Sequence, residues 1–244
     1  MNIVEVSNIS KKLSKSIILD DLSLDIKKGE IVGLIGPSGA GKTTFVKAII
    51  GMEKIDSGFI KVFNKPIPNL DVLQNIGYMA QSDALYEDLS AKENLDFFGK
   101  IFGLNKSKIK ERIDYTSKLV NLENHLSKKV KSFSGGMKRR LSLAISLIQD
   151  PALLILDEPT VGIDPRLRFD IWNELYNLKN EGKSIIVTTH VMDEAVKCDR
   201  LALIRDGKII ATGTPNHLIK EFEVNTIEEI FLKLGGETKW ELKH

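Results

Sequence analysis

The chain has 244 residues, 42% of them hydrophobic and 28% charged, with a formal net charge of +2. That is enough apolar material for one sizeable core, and so even a charge balance gives no global pull toward nucleic acid or an acidic membrane surface. The single cysteine, Cys198, rules out an internal disulfide and reads as a small buried residue without chemistry. The start, MNIVEVSNISKK, lacks the layout of a secretion signal, and no apolar run approaches the roughly 18 residues that span a bilayer. A chain soluble on its own is expected, reaching a membrane only through a partner.

The N-terminal region alternates apolar and polar residues at Ile3, Val4 and Val6 and again at Leu22, Leu24 and Ile26, as half-buried strands do. Residues 30–35 form a more continuous apolar strand, and a helix is expected over 42–50 with Gly51 at its C-terminal cap. Residues 84–149 differ. Ser90 and Glu93 make a capping box, Leu95, Phe98, Ile101 and Phe102 recur at helical spacing, a second helix is expected over 107–120, and a third after Ser134. Buried strands return at 152–156 and 184–189, separated by a helix that starts at Asp164-Pro165. Asp206-Gly207 marks a hairpin, and Thr226 and Glu229 cap a final amphipathic helix. The expected fold class is α/β: a P-loop core of mostly parallel sheet with helices, an N-terminal antiparallel β subdomain and an inserted helical subdomain. Ligands belong at the carboxyl ends of the parallel strands.

The segment Gly36-Pro37-Ser38-Gly39-Ala40-Gly41-Lys42-Thr43 fits GxxxxGK[ST], with Thr44 next in the helix expected over 42–50. A triphosphate is a dense anion that needs many donors at close range. Glycines let backbone N–H groups wrap around it, and a helix N-terminus adds positive potential. Lys42 reaches the β- and γ-phosphates, and Thr43 offers a hydroxyl to Mg²⁺. The strand ending in Asp157-Glu158 supplies the second half: Asp157 for Mg²⁺ and Glu158 as general base for the attacking water. His190 closes a third apolar strand at the same sheet edge, which favours a γ-phosphate contact. Gln81 follows the strand 76–79 at that edge and by itself carries no role. Ser134-Gly135-Gly136 reads either as a simple N-cap or as an anion site at a helix start, and Lys138, Arg139 and Arg140 read as a solvated helix face.

The order of these motifs resembles the nucleotide-binding subunits of ABC transporters over nearly the whole chain. The resemblance implies one ATP-binding domain over 1–244. Residues 1–83 and 150–244 would be the ATPase lobe with its β subdomain, 84–149 a helical lobe that docks a membrane subunit, and 214–244 a C-terminal extension. It implies a head-to-tail dimer, with a second copy or a paralogue, in which Ser134, Gly135 and Gly136 bind the γ-phosphate held by the partner. Val161-Gly-Ile-Asp164 would cross the seam, and Gln81 would sense Mg²⁺ and γ-phosphate. It also implies membrane-spanning partner subunits, a position at the cytoplasmic face, and ATP hydrolysis coupled to transport. Two positions depart from the family pattern. Leu13 stands where an aromatic usually stacks on adenine, and the signature reads FSGGM followed by KRRL. The GMKRR form and the ending TIEEIFLKLGG resemble exporters of the ABC-2 type. A soluble ABC-type ATPase of repair or translation is the alternative. A guanine-reading NKxD motif is missing, since Asn64-Lys65 and Asn105-Lys106 both lack the aspartate.

Overall fold

Strand burial sorts the chain into two sheets before any contact is considered. The computed structural model describes residues 1–234 apart from Lys15 and Asp83; the last ten residues of the expected 214–244 extension, with the final two glycines of TIEEIFLKLGG, lie outside the described residues. Strands β1 (Asn2–Leu13) and β2 (Ser16–Lys27) alternate buried and exposed positions and pair antiparallel. Strand β3 (Ile31–Ile35) is buried at every position and leads into helix α1 (Lys42–Ile49), which ends at Gly51 with φ +75°. Strands β4 (Ser57–Val62) and β5 (Lys65–Pro66) complete the antiparallel sheet in the order β2-β1-β4-β5.

A short helix α2 (Leu70–Leu73) precedes β6 (Ile76–Met79). Then come three helices: α3 (Ala91–Ile101), α4 (Lys106–Leu119) and α5 (Gly135–Ser146). The rest alternates β7 (Leu153–Asp157), α6 (Pro165–Asn180), β8 (Ser184–Thr189), α7 (Met192–Ala195), β9 (Arg200–Arg205) and β10 (Lys208–Gly213), and closes with α8 (Pro215–Glu221) and α9 (Ile227–Leu234). Among the described residues the second sheet runs β10-β9-β3-β8-β7-β6, parallel throughout except for the β9–β10 hairpin. That hairpin turns on Asp206 and Gly207, both at positive φ, as a type I′ turn requires.

The parallel sheet is buried on both faces. One face packs with α1 against the antiparallel sheet, through Phe45, Ile49, Ile9 and Ile26. The other carries α3–α6, α8 and α9, with Trp172 fully enclosed. Each such large apolar side chain contributes about 1.5–3 kcal/mol relative to exposure. Two side chains anchor α4 to its neighbours. Buried Arg112 on α4 donates to the carbonyls of Leu147 and Ile148 at the end of α5, and the Tyr115 hydroxyl donates to Glu174 on α6.

The capping box forms as expected: the Glu93 amide donates to Ser90 Oγ at 3.2 Å, and the Ser90 amide to Glu93 Oε2 at 2.7 Å. The hydroxyl and amide of Ser90 hold the Glu93 carboxyl below its usual range. Ser90→Ala removes one half of the box and should lower stability by about 1 kcal/mol, read as a lower urea midpoint at unchanged slope.

Candidate functional site

Parallel pairing brings the ends of four strands to one edge. Ile35 lies opposite Thr189, Thr188 opposite Asp157, and Leu156 opposite Met79. The phosphate loop 36–41 begins where β3 stops. Gly36 has no room for a side chain, because a Cβ would sit 2.1 Å from the Ile204 carbonyl oxygen. Gly41, at φ +100°, is the N-cap of α1, and neither a capping side chain nor an acidic first turn occupies that helix start. Its orphan amides and the positive end of the helix are left to a ligand.

Lys42 is 7% exposed, and its ammonium curls back to donate to the carbonyls of Gly36 at 2.8 Å and Pro37 at 3.0 Å. Burial lowers its pKa, and the nearby Glu158 and Asp157 charges oppose that shift. Next in the same helix start, Thr43 Oγ1 donates to Asp157 Oδ2 at 2.9 Å. The other carboxylate oxygen accepts from the Thr188 hydroxyl. Asp157 is 1% exposed, so a buried carboxylate is held here by two neutral hydroxyls. Carboxylate and hydroxyl oxygens of this kind suit Mg²⁺, which takes one or two protein ligands and completes its shell from phosphates and water. Among the described residues no group of three or more His, Cys, Asp or Glu could hold a metal by itself. Tyr78, near this carboxylate, keeps a buried hydroxyl without a hydrogen-bond partner among the described residues, and its pKa is pushed up to about 12, first by burial and then by Asp157.

Glu158 follows immediately with φ +54°, a left-handed turn that costs a residue with a side chain of order 1 kcal/mol. The turn is fixed by its amide, which donates to both the carbonyl and the hydroxyl oxygen of Thr188 at 3.1 Å. Its carboxylate then projects between two partners, His190 Nδ1 at 3.0 Å and Gln81 Nε2 at 3.4 Å. An adjoining cleft of about 410 Å³ is lined by Leu13 and Ile18, by Ser38, Gly39 and residues 41–44 of the loop, and by Gln81 and Glu158. Leu13 is half exposed there.

The structure thus unites the phosphate loop, Asp157, Glu158, Gln81, His190 and Leu13. It does not bring Ser134, Gly135 and Gly136 to this cleft. Ser134 caps α5 by accepting from the Met137 amide at 3.3 Å, Ser134 and Gly135 are exposed, and Gly136 packs toward the Gly162 carbonyl. The solvated face expected over 138–140 is corrected by the structure. Arg139 is buried, and Arg140 reaches the carbonyls of Val120 and Asn121. The physical reason is the helix period: Arg139 shares a face with Leu143 and Ser146, both buried. Lys138 is half-buried and paired with Glu87. Thr188 was also missed. Its only signal is positional, since two parallel strands of known ends place Thr188 beside Asp157.

The profile of the ABC transporter family matches residues 19–161, more than half of the chain. The chain belongs to the ABC transporter family. It is 42% identical over 233 residues to the ABC transporter G family member 20 of Dictyostelium discoideum, covering 95% of this chain and 32% of that protein. It is 43% identical over 221 residues to the Nod factor export ATP-binding protein I of Sinorhizobium fredii, covering 89% of this chain and 64% of that protein. The chain therefore spans less than two thirds of either relative. Among solved structures it is similar to an ATP-binding subunit of an ABC transporter, with a TM-score of 0.89 at 27% identity over 96% of this chain and 99% of that one. A dimeric ATP-binding cassette in a post-hydrolysis state with ADP and Pi gives a TM-score of 0.79 at 28% identity, over 86% and 98%. No helix of the described residues of this ABC transporter family member is long and apolar enough to cross a membrane.

Thr188→Val keeps the shape of β8 and removes the hydroxyl shared by Asp157 and the Glu158 amide. It should lower stability by about 1–3 kcal/mol, the cost of a buried polar group left short of a partner, measured by urea denaturation of the nucleotide-free protein.

Proposed function

We propose that this chain binds and hydrolyses ATP and drives an exporter, acting as a head-to-tail dimer at the cytoplasmic face of a membrane through separate membrane-spanning subunits. The observation that carries this reading is the Glu158 carboxylate, fixed between His190 and Gln81 at a cleft floored by Lys42 and Thr43. The helical lobe 84–149 is the segment that engages the membrane subunit, and the names of the rhizobial relatives support export.

In this reading the amides from Gly36 through Gly41, with Pro37, Ser38, Gly39 and Ala40 between, and those of Lys42, Thr43 and Thr44 wrap the phosphates. Lys42 exchanges the carbonyls of Gly36 and Pro37 for β- and γ-phosphate oxygens. Thr43, Asp157 and Gln81 would hold Mg²⁺, which supplies charge neutralisation to the phosphate oxygens when bound. Glu158 takes a proton from water as the water oxygen attacks the γ-phosphorus. The bond from that phosphorus to the β–γ bridging oxygen breaks, leaving ADP and inorganic phosphate. His190 donates to the γ-phosphate and steadies Glu158. Ser134, Gly135 and Gly136 are displayed away from the cleft and contact the γ-phosphate of the other chain, so ATP closes the dimer and hydrolysis releases it.

Glu158→Gln keeps shape and hydrogen bonding but cannot accept the proton. Steady-state ATP hydrolysis by the purified chain should fall about 100-fold or more with ATP affinity retained, and wild-type activity per chain should rise with protein concentration. Wild-type turnover in the variant would remove Glu158 from the base role. Leu13 offers adenine only an aliphatic contact, so Leu13→Tyr should tighten ATP binding by about fivefold, equivalent to roughly 1 kcal/mol of added stacking, in an equilibrium titration.

A further inference from the structure

Arg139 is a buried cation that donates to four main-chain carbonyls. It is 7% exposed and lies at the carboxyl ends of two adjacent parallel strands. Its Nη1 donates to the carbonyls of Ala80 at 2.6 Å and Gln81 at 3.0 Å, just beyond β6. Its Nη2 donates to the carbonyl of Asp157 and, at 2.7 Å, to that of Glu158, at the end of β7. Four carbonyl oxygens that would otherwise face one another share a single planar guanidinium. Charge-assisted bonds of this kind are stronger than neutral ones, and the rigid fork fixes the spacing between its acceptors.

The four residues held this way include the two whose side chains meet across the cleft. Gln81 and Glu158 hydrogen-bond to each other, and Glu158 sits in a left-handed conformation that needs external support. Thr188 grips the Glu158 amide, and Arg139 grips its carbonyl, so both ends of the residue are fixed. Arg139 also belongs to α5, one helical turn after Gly135. The same short helix therefore displays Ser134-Gly135-Gly136 at its start and holds the Glu158 backbone from its second turn.

We propose that Arg139 is a positioning residue for ATP hydrolysis, setting the distance between Gln81 and Glu158 and fixing both to helix α5; the proposal rests on the assignment of Glu158 as general base. Arg139 grips the main-chain carbonyls of Gln81 and Glu158 and leaves their side chains to the cleft, so its loss acts on the chemical step and spares nucleotide binding.

The test compares the full-length chain with Arg139→Lys, Arg139→Gln and Glu158→Gln, measuring ATP dissociation constant, kcat and thermal midpoint. Lysine keeps the cation but its compact ammonium cannot span four acceptors on two strands. The expected result is a kcat at least tenfold lower in Arg139→Lys and Arg139→Gln, with the ATP dissociation constant within twofold of wild type. Should Arg139→Gln fail to fold because a polar amide cannot satisfy the carbonyls, Arg139→Lys carries the test. A kcat within threefold of wild type in folded Arg139→Lys would overturn the proposal. So would a parallel loss of ATP binding and turnover, which marks general disruption rather than positioning. Glu158→Gln separates the two levels: if it turns over normally, the base assignment fails, whereas an inactive Glu158→Gln beside an active Arg139→Lys overturns only the positioning role.

Discussion

Asp157 is the point to which the rest of the site is fastened. A carboxylate that is 1% exposed must be compensated locally, and here the compensation comes from the hydroxyls of Thr43 and Thr188. Those two contacts join three separate elements: the start of α1, the end of β7 and the middle of the sheet at β8. The position of Asp157 therefore sets where the phosphate loop lies relative to Glu158. Lys42, from the same helix start as Thr43, turns to the loop carbonyls of Gly36 and Pro37.

Around that point the fold uses backbone groups as fixed dipoles. The start of α1 at Gly41, without a capping side chain, offers main-chain donors, and the carbonyls that end β6 and β7 converge on Arg139 as acceptors. The two sets have opposite sign and lie at the same sheet edge. One is left for a ligand and the other is neutralised by the protein itself. This division explains why a buried arginine sits beside a site that must attract an anion without placing its charge in the cleft.

Much of this was legible in the sequence because the signals were local. GxxxxGK[ST], the apolar strand before Asp157, the Ser90–Glu93 capping box and Asp206-Gly207 each depend on residues a few positions apart, and each appears where its local chemistry requires. Helix ends fell within a residue or two of expectation: 42–50 was expected for α1 and Lys42–Ile49 is found. Arg139 was misread because three consecutive basic residues look solvated as a run, whereas burial follows the helix face that also carries Leu143 and Ser146. Thr188 escaped because its role depends on which strands are neighbours. Sequence order suggests β7 beside β8 but does not say that β3 lies on the far side of β8, which is what brings Thr43 and Thr188 to opposite oxygens of one carboxylate.

The parallel register between β7 and β8 also limits how this chain can change over time. Asp157 faces Thr188, flanked in β8 by Val187 and Thr189. A residue inserted or deleted within either strand would slide Val187 or Thr189 into that place and turn alternate side chains to the opposite face of the sheet. A valine there offers no donor, and Thr189 is already committed to Glu194 and the Val191 amide. Length variation in descendants of this sequence is therefore confined to connections that leave the pairing untouched, such as the turn at 181–183, while the two strands can vary only by substitution.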